Sequence, residues 1–111
     1  MLNHPAPARV FVAIAPVDLR AGFDKLFALT QSVLRQDPLS GHWFVFTNQE
    51  RTRVKVLFWD GSGLWVCAKR LEKGRFSWPR AEGSCAQLRS AELLALLSGL
   101  EVREKAGWFR R

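Results

Sequence analysis

The sequence predicts an α+β fold, a single compact domain in which an antiparallel β-meander of about 4–5 strands packs against two α-helices. Three patterns carry this prediction: an apolar strand-like run near the N-terminus, a central block of alternating segments joined by tight turns, and a Leu-rich helical segment near the C-terminus. The length of 111 residues fits one domain, and no linker or internal repeat divides the chain.

The N-terminal part reads as a strand followed by a helix. A strand is predicted over about residues 9–15, because residues 10–15 are apolar on both alternating faces, which is typical of a buried strand, and a proline follows them. Asp18 can cap a helix over about residues 19–35, where the apolar spacing predicts that Phe23 and Phe27 serve ordinary core packing.

The central block predicts a meander over about residues 43–78. Its strands are separated by turn signals, of which "DGSG" at 60–63 is the clearest, and "RFSW" at 75–78 would form the fourth strand. Residues 82–89 read as a connector. Ser90 can then cap a C-terminal helix over about residues 90–99, ahead of a basic tail at 102–111.

A turn centred on Gly61 and Ser62 fixes the register of the central hairpin. Side chains alternate across a strand, so this register assigns one face to the core and gives the other face Trp59 together with basic residues. The predicted core face consists of Val54, Val56, Phe58, Trp65 and Cys67. Arg53 and Arg70 would lie opposite each other on the second face, an unfavourable pairing unless an anion lies between them.

The charge of the chain favours a polyanionic partner. Seventeen basic and ten acidic residues leave a net charge of +7, and residues 51–80 hold eight of the basic residues but only two acidic ones. The candidate nucleic-acid-binding residues are Arg53, Lys55, Lys69, Arg70, Lys73, Arg75 and Arg80, with Trp59 and Trp78 as candidate stacking or interface residues. The alternative is a basic, soluble face without a specific ligand.

No set of residues with catalytic or metal-binding spacing is recognisable. Cys67 and Cys85 predict two free thiols, buried or half-buried, and neither His4 nor His42 has ligand spacing with them. The sequence therefore predicts a protein that is not an enzyme and needs no metal or cofactor. Without a secretory signal or a long apolar run, the expected location is the cytoplasm, with no membrane contact and association with the nucleoid if DNA is bound.

Four segments carry a family resemblance. "PVDLRAGFDKL", "DPLSGHWFVF", "VKVLFWDGSGLWVCAKRLEKGRFSWP" and "ELLALLSGLE" resemble, in order and spacing, the TnpB accessory proteins of the insertion-sequence-66 family of bacterial transposons. The most specific part is "KRLEKGRFSWP", which contains Lys69, Arg70, Lys73, Gly74 and Arg75. Arg89 departs from the family, which usually has Ser or Thr as the helix cap there.

The resemblance implies a small bacterial protein that is needed for transposition, while the transposase carries the strand-transfer chemistry in a separate chain. Two functions follow as hypotheses. In the first, the protein binds DNA at the transposon ends through its basic strand face and turn. In the second, it is a protein-interaction module that binds the transposase or a second copy of itself, without contacting DNA.

Overall fold

The computed structural model describes residues 9–20 and 22–99, and it confirms the predicted α+β class. Two helices and five strands follow one another along the chain, and the strands form one sheet in the order β4-β3-β2-β1-β5. β1 pairs in parallel with β2, and the other three neighbouring pairs are antiparallel. In chain order the elements are β1 (Val10–Ala13), α1 (Phe23–Ser32), β2 (Trp43–Thr47), β3 (Arg53–Trp59), β4 (Leu64–Arg70), β5 (Cys85–Leu88) and α2 (Ser90–Leu97).

The sheet is covered on both faces. On the α1 face the buried side chains come from α1, from the segments that flank it and from alternate positions of the strands. On the α2 face they come from α2, from the other strand positions and from the segment 76–78. β1 contributes to both clusters and is buried along its whole length, which confirms the prediction for this strand.

The meander is shorter than the sequence predicts, and the fifth strand lies elsewhere. Residues 75–78 form no strand, although Phe76 and Trp78 alternate and are both buried on the α2 face. Phe76 and Trp78 therefore alternate as in a strand, but their segment packs on one face of the sheet and does not pair with its strands. Cys85–Leu88, predicted to be a connector, is instead β5, because β1 offers this short segment an antiparallel partner.

The first helix begins later than predicted, at Phe23 rather than near residue 19. The carboxylate of Asp18 does not cap it, since it accepts hydrogen bonds from the backbone N–H and the guanidinium of Arg20. Phe23 is 49% exposed and Phe27 half-buried, so the prediction of core packing is wrong for Phe23.

The second helix is capped one residue earlier than predicted. Arg89 is the N-cap residue, and its backbone N–H donates to Oε1 of Glu92 at 2.8 Å. Ser90 is the first helical residue, so its hydroxyl is not at the N-cap position. The carboxylate of Glu92 instead accepts the hydrogen bond at the start of the helix. The predicted basic tail at 102–111 lies outside the described residues.

β4 is an edge strand, and this explains two predictions that are wrong. α2 begins next to β5 at the opposite edge, and the carbonyl of Leu97 at its end accepts a hydrogen bond from the amino group of Lys69 on β4. Trp65, predicted to be a core residue, is 45% exposed, and Cys67 is exposed as well. The other thiol, that of Cys85, is half-buried as predicted, and burial raises its pKa.

Candidate nucleic-acid interface

The register of the β3–β4 hairpin agrees with the sequence-based prediction along its whole length. Trp59 lies opposite Leu64, Lys55 opposite Ala68 and Arg53 opposite Arg70. Side chains that lie opposite each other in an antiparallel pair point to the same face, with Cβ atoms about 5 Å apart. The two arginines therefore share the α1 face at the open end of the hairpin.

The turn of the hairpin is held by one carboxylate. Oδ1 of Asp60 accepts hydrogen bonds from the backbone N–H groups of Ser62 (2.8 Å) and Gly63 (3.0 Å), and Oδ2 accepts one from the indole N–H of Trp65 (2.7 Å). The Ser62 backbone bond is the main reason that the pKa of Asp60 lies below its usual range. Gly61, with φ of 105°, occupies a backbone region that side chains rarely adopt. "DGSG" thus acts as a turn, as predicted.

A cleft of about 630 Å³ opens beside Arg53 and Arg70 on the α1 face. Its walls are the segment 17–20 after β1, the turn 48–50 after β2, and the adjoining ends of β3 and β4. Its lining includes Lys69, whose side chain points to the other face of the sheet, and otherwise four basic residues and two acidic ones, namely Arg20, Arg53, Lys55 and Arg70 with Asp18 and Glu50. The cleft is therefore the place where the folded chain brings part of the predicted basic surface together.

Backbone and amide hydrogen bonds fix the walls of this cleft. The N–H of Val17 donates to the carbonyl of Thr47 at 2.9 Å, which ties the segment 17–20 to the end of β2. Oδ1 of Asn48 accepts from the N–H groups of Thr52 (3.0 Å) and Arg53 (3.1 Å). Because these bonds set the start of β3, they also set the position from which Arg53 projects.

The basic groups of the cleft differ in how far they are already paired. Arg20 makes a two-pronged ion pair with Asp18, whose pKa falls to about 2 because of that hydrogen-bonded partner. Arg70 pairs with Glu72 at 3.1 Å on an exposed surface. Within the described part of the chain, the guanidinium of Arg53 has neither a hydrogen bond nor an ion pair. Arg53 is thus the basic group of the cleft that is most readily available to an anion.

Lys69 lies next to Arg70 in sequence but points to the other face of the sheet. Its amino group donates to the carbonyl of Leu97 at 2.7 Å, at the C-terminal end of α2. The last carbonyls of a helix lack intrahelical donors and carry partial negative charge, so a cation there stabilises the helix. Lys69 therefore has a structural partner, whereas the guanidinium of Arg53 has none within the described part of the chain.

The remaining basic candidates lie outside the cleft lining. Lys73 and Arg75 are exposed in the loop that follows β4, and Arg80 is exposed after the buried segment. The loop is anchored at both ends, since the N–H of Leu71 donates to the carbonyl of Thr52 and that of Phe76 to the carbonyl of Arg51. These contacts hold the loop beside the turn that positions Arg53.

Neither tryptophan proposed for stacking lies beside the arginines. Trp59 is half-buried on the α1 face, but six residues separate it from Arg53, about 20 Å along the strand. Trp78 is 4% exposed, and its indole N–H donates to the carbonyl of Ala13 at 2.8 Å. Trp78 is thus a core residue and has no free ring face to offer a base.

Sequence reasoning missed Arg20, Asp18 and Asn48 as parts of the cleft. Arg20 and Asp18 were assigned to a helix start, whereas they form a loop that faces the strand ends. The sequence signal that could have identified this cleft is the polar turn after β2. When β1 and β2 are parallel, this turn and the segment after β1 lie at the same end of the strands.

The described residues show no further recognisable site chemistry. In residues 9–20 and 22–99, no three His, Cys, Asp or Glu side chains lie close enough together to hold a metal ion. His42 is half-buried, and burial together with the nearby Arg9 lowers its pKa. None of the helices within these ranges is long and apolar enough to cross a bilayer.

Comparison with known proteins assigns the chain to a family. The model of the IS66 Orf2-like (TnpB) family matches residues 8–107. An uncharacterized Sinorhizobium fredii protein, y4hO, is 41% identical over 93% of this chain and 90% of its own length. A second uncharacterized protein of that organism, y4jC, is 38% identical over 91% of this chain and 86% of its own length. No solved structure matches. The chain therefore belongs to the IS66 Orf2-like family, and this membership supports an accessory role in the transposition of an insertion sequence.

Proposed function

We propose that this protein is a non-catalytic accessory factor that binds DNA during transposition of its element, through the cleft on the α1 face. The observation that carries the proposal is the placement of Arg53 opposite Arg70 at the edge of that cleft. Two like charges on directly opposite strand positions destabilise a protein by themselves. A phosphate between them would turn this repulsion into two favourable contacts.

The chemistry of the cleft fits the phosphate groups of a nucleic-acid backbone. Arginine presents a planar fork of donors that matches phosphate oxygens, and Lys55 adds a further cation on the same face. The exposed loop cations Lys73 and Arg75 would extend this contact along a nucleic-acid backbone. Such contacts give affinity and position but carry no base sequence.

The proposal places the protein in the bacterial cytoplasm, at the nucleoid when DNA is bound, with the transposase of the same element as its protein partner. Family membership supports the partner, because an accessory factor acts beside the chain that carries the chemistry. In this proposal the present chain contributes binding, and strand transfer belongs to the transposase.

Fluorescence anisotropy of a labelled DNA duplex over a salt series tests the cleft. The variant Arg53→Gln/Arg70→Gln removes two phosphate contacts, so the slope of log K against log salt should become shallower by about 2, and affinity should fall at least about tenfold. The matched control is Arg9→Gln/Arg35→Gln, which removes the same charge from exposed positions outside the cleft lining. Equal losses of affinity in the two variants would contradict binding through the cleft. No binding of the duplex by the wild type at low salt would contradict DNA binding altogether.

The second candidate function is a protein-interaction module that docks on the transposase. The exposure of Trp65, fixed in orientation by Asp60, favours it, because a rigid exposed tryptophan is typical of binding hot spots. The measurement is capture of purified transposase by the wild type and by Trp65→Ala at two salt concentrations. Binding that depends on Trp65 and is insensitive to salt, together with no DNA binding, would favour this function over the first.

A further inference from the structure

The edge strand β4 has a full set of outward backbone groups. The N–H of Asp60 donates to the carbonyl of Gly63, which makes these two residues a hydrogen-bonded pair. Because such pairs alternate along an antiparallel ladder, residues 65, 67 and 69 bond to β3, whereas Leu64, Val66, Ala68 and Arg70 direct their N–H and C=O groups away from it. In the described ranges, β3 is the only strand that pairs with β4.

We propose that β4 pairs antiparallel with β4 of a second copy of this chain, centred on Cys67, to form a homodimer with one continuous ten-stranded sheet. Natural proteins usually protect a long edge strand by charged side chains, bulges or a covering element, and on β4 the charges are confined to the last two residues, Lys69 and Arg70. β4 is seven residues long, and its exposed side chains include Trp65 and Cys67. The proposal goes beyond DNA binding and does not depend on it.

The sequence of β4 is compatible with pairing to itself in this register. All seven residues find partners, with Leu64 opposite Arg70, Trp65 opposite Lys69 and Val66 opposite Ala68 of the second copy. No cation meets a cation in this register. A pair centred one residue further along, on Ala68, would leave Leu64 and Trp65 without partners within β4. Each copy's Lys69 instead faces the ring of Trp65, where a cation is attracted by the aromatic face.

The same register accounts for the exposure of Trp65. Lys69 lies under the C-terminal end of α2, through its bond to the carbonyl of Leu97. In the dimer, Lys69 of the second copy lies opposite Trp65 of the first. The end of α2 in the second copy therefore approaches the indole of Trp65, which is 45% exposed in a single copy. The bond from Trp65 to Asp60 holds that ring in place before the second copy arrives.

The dimer would also bring two basic clefts to one face. Residues directly opposite each other point to the same side of a sheet, so the α1 faces of the two copies are continuous. Arg70 lies opposite Leu64, which places Arg70 of one copy six residues, or about 20 Å, from Arg70 of the other. This consequence rests on the proposed function, whereas the pairing of the strands does not.

Analytical ultracentrifugation of the full chain is the first test, with the wild type expected to be a dimer. Val66→Pro removes an outward N–H while leaving the ladder to β3 intact, since proline is tolerated on an edge strand when its nitrogen faces outward. Association should weaken by about tenfold or more. Val66→Ala is the matched control, because it loses side-chain packing but keeps the N–H, and it should remain a dimer. Circular dichroism checks that both variants are folded.

Thiol cross-linking tests the register. Two facing Cys67 residues at a non-hydrogen-bonded position have Cα atoms about 4.5 Å apart, which lies within the Cα spacing of disulfides and permits one to form on mild oxidation with diamide. The dimeric band should persist in Cys85→Ala and be absent in Cys67→Ala. A dimer that Val66→Pro does not weaken, or one without the Cys67 cross-link, would overturn the proposed interface.

Salt separates this proposal from DNA binding. Both copies carry a net charge of +7, so added salt should strengthen self-association while it weakens binding to a duplex. A wild type that stays monomeric at every salt concentration would overturn the homodimer even if DNA binding is intact. If that monomer instead binds the transposase in a manner sensitive to Val66→Pro, the edge belongs to the transposase and the self-pairing is wrong.

Discussion

At the open end of the β3–β4 hairpin, the two faces of the sheet use similar charges for different purposes. On the α1 face, Arg53 and Arg70 line a cleft, and the guanidinium of Arg53 has no partner within the described ranges. On the α2 face, the amino group of Lys69 binds the carbonyl of Leu97 and so supports the end of a helix. Adjacent residues of one strand thus serve binding and stability separately.

A cluster of basic residues in a sequence therefore overstates the positive charge that the folded protein offers to a ligand. Because side chains alternate along β4, Lys69 and Arg70 lie on opposite faces of the sheet. On the α2 face, the C-terminal end of α2 binds the amino group of Lys69. Pairing with carboxylates reduces the remainder further, as at Arg70 and Glu72. The positive charge that remains available to a phosphate is therefore smaller than the composition indicates, and it is concentrated on the α1 face.

The largest expected effect concerns the two tryptophans that differ most in burial. Trp78→Ala should lower the free energy of unfolding by about 3–5 kcal/mol, because it empties a buried site on the α2 face and leaves the Ala13 carbonyl without its indole donor. Trp65→Ala should lower it by only about 1 kcal/mol, since that ring is almost half exposed. Urea denaturation followed by far-UV circular dichroism measures both.

For this comparison, Trp78→Phe is the useful intermediate. It keeps most of the ring volume but loses the N–H, so it should lie between the wild type and Trp78→Ala. Similar losses for Trp65→Ala and Trp78→Ala would mean that the α2 face extends its core to the edge strand, contrary to the burial of these residues.

These tryptophans also show where sequence reasoning succeeds and where it fails. The hairpin register was predictable because a turn with a strong local signal fixes every pair that follows it. Which residues of the hairpin are buried was not, because alternation identifies a face but not what covers it. Trp65 has the position of a core residue, but it lies on the edge strand and remains 45% exposed.

The cleft shows the same limit. The pairing of Arg53 with Arg70 followed from the register, but the walls formed by the segment 17–20 and the turn at Asn48 depend on a parallel β1–β2 pair. That pair joins segments about thirty residues apart in sequence, and no local pattern specifies it. Likewise β5 is a strand because β1 lies beside it rather than because of its own weak alternation.

A pair of adjacent substitutions tests the division of labour directly. Lys69→Met should reduce stability by about 1 kcal/mol through the loss of a cation at a helix C-terminus, and it should leave the salt dependence of DNA binding unchanged. Arg70→Gln should do the reverse, with stability within about 0.5 kcal/mol of wild type and a salt slope shallower by about 1. Urea denaturation and anisotropy on the same preparations provide the two readouts. A shallower slope for Lys69→Met would show that its amino group leaves the helix end to contact DNA.

The smallest expected effect contrasts the two carboxylates that hold loops at opposite ends of the hairpin. Hydrogen bonds lower the pKa of Asp18, to about 2, and that of Asp60 as well. A carboxyl group with a lowered folded-state pKa stabilises the fold above its unfolded pKa near 4, and this contribution is lost as the pH falls through the folded value. The urea midpoint should therefore decline between about pH 4 and pH 2.

Substitution should flatten that decline selectively. Asp18→Asn and Asp60→Asn each remove one of the groups, so each should reduce the pH dependence, whereas Glu82→Gln, at an exposed position without a side-chain partner in the described part of the chain, should not. The indole N–H resonance of Trp65, assigned by its loss in Trp65→Phe, reports on Asp60 directly because the two groups are hydrogen-bonded at 2.7 Å. An indole resonance that titrates with a midpoint near pH 4 would mean that Asp60 does not hold the turn in solution, and Trp65 would then lose the fixed orientation on which docking at this edge depends.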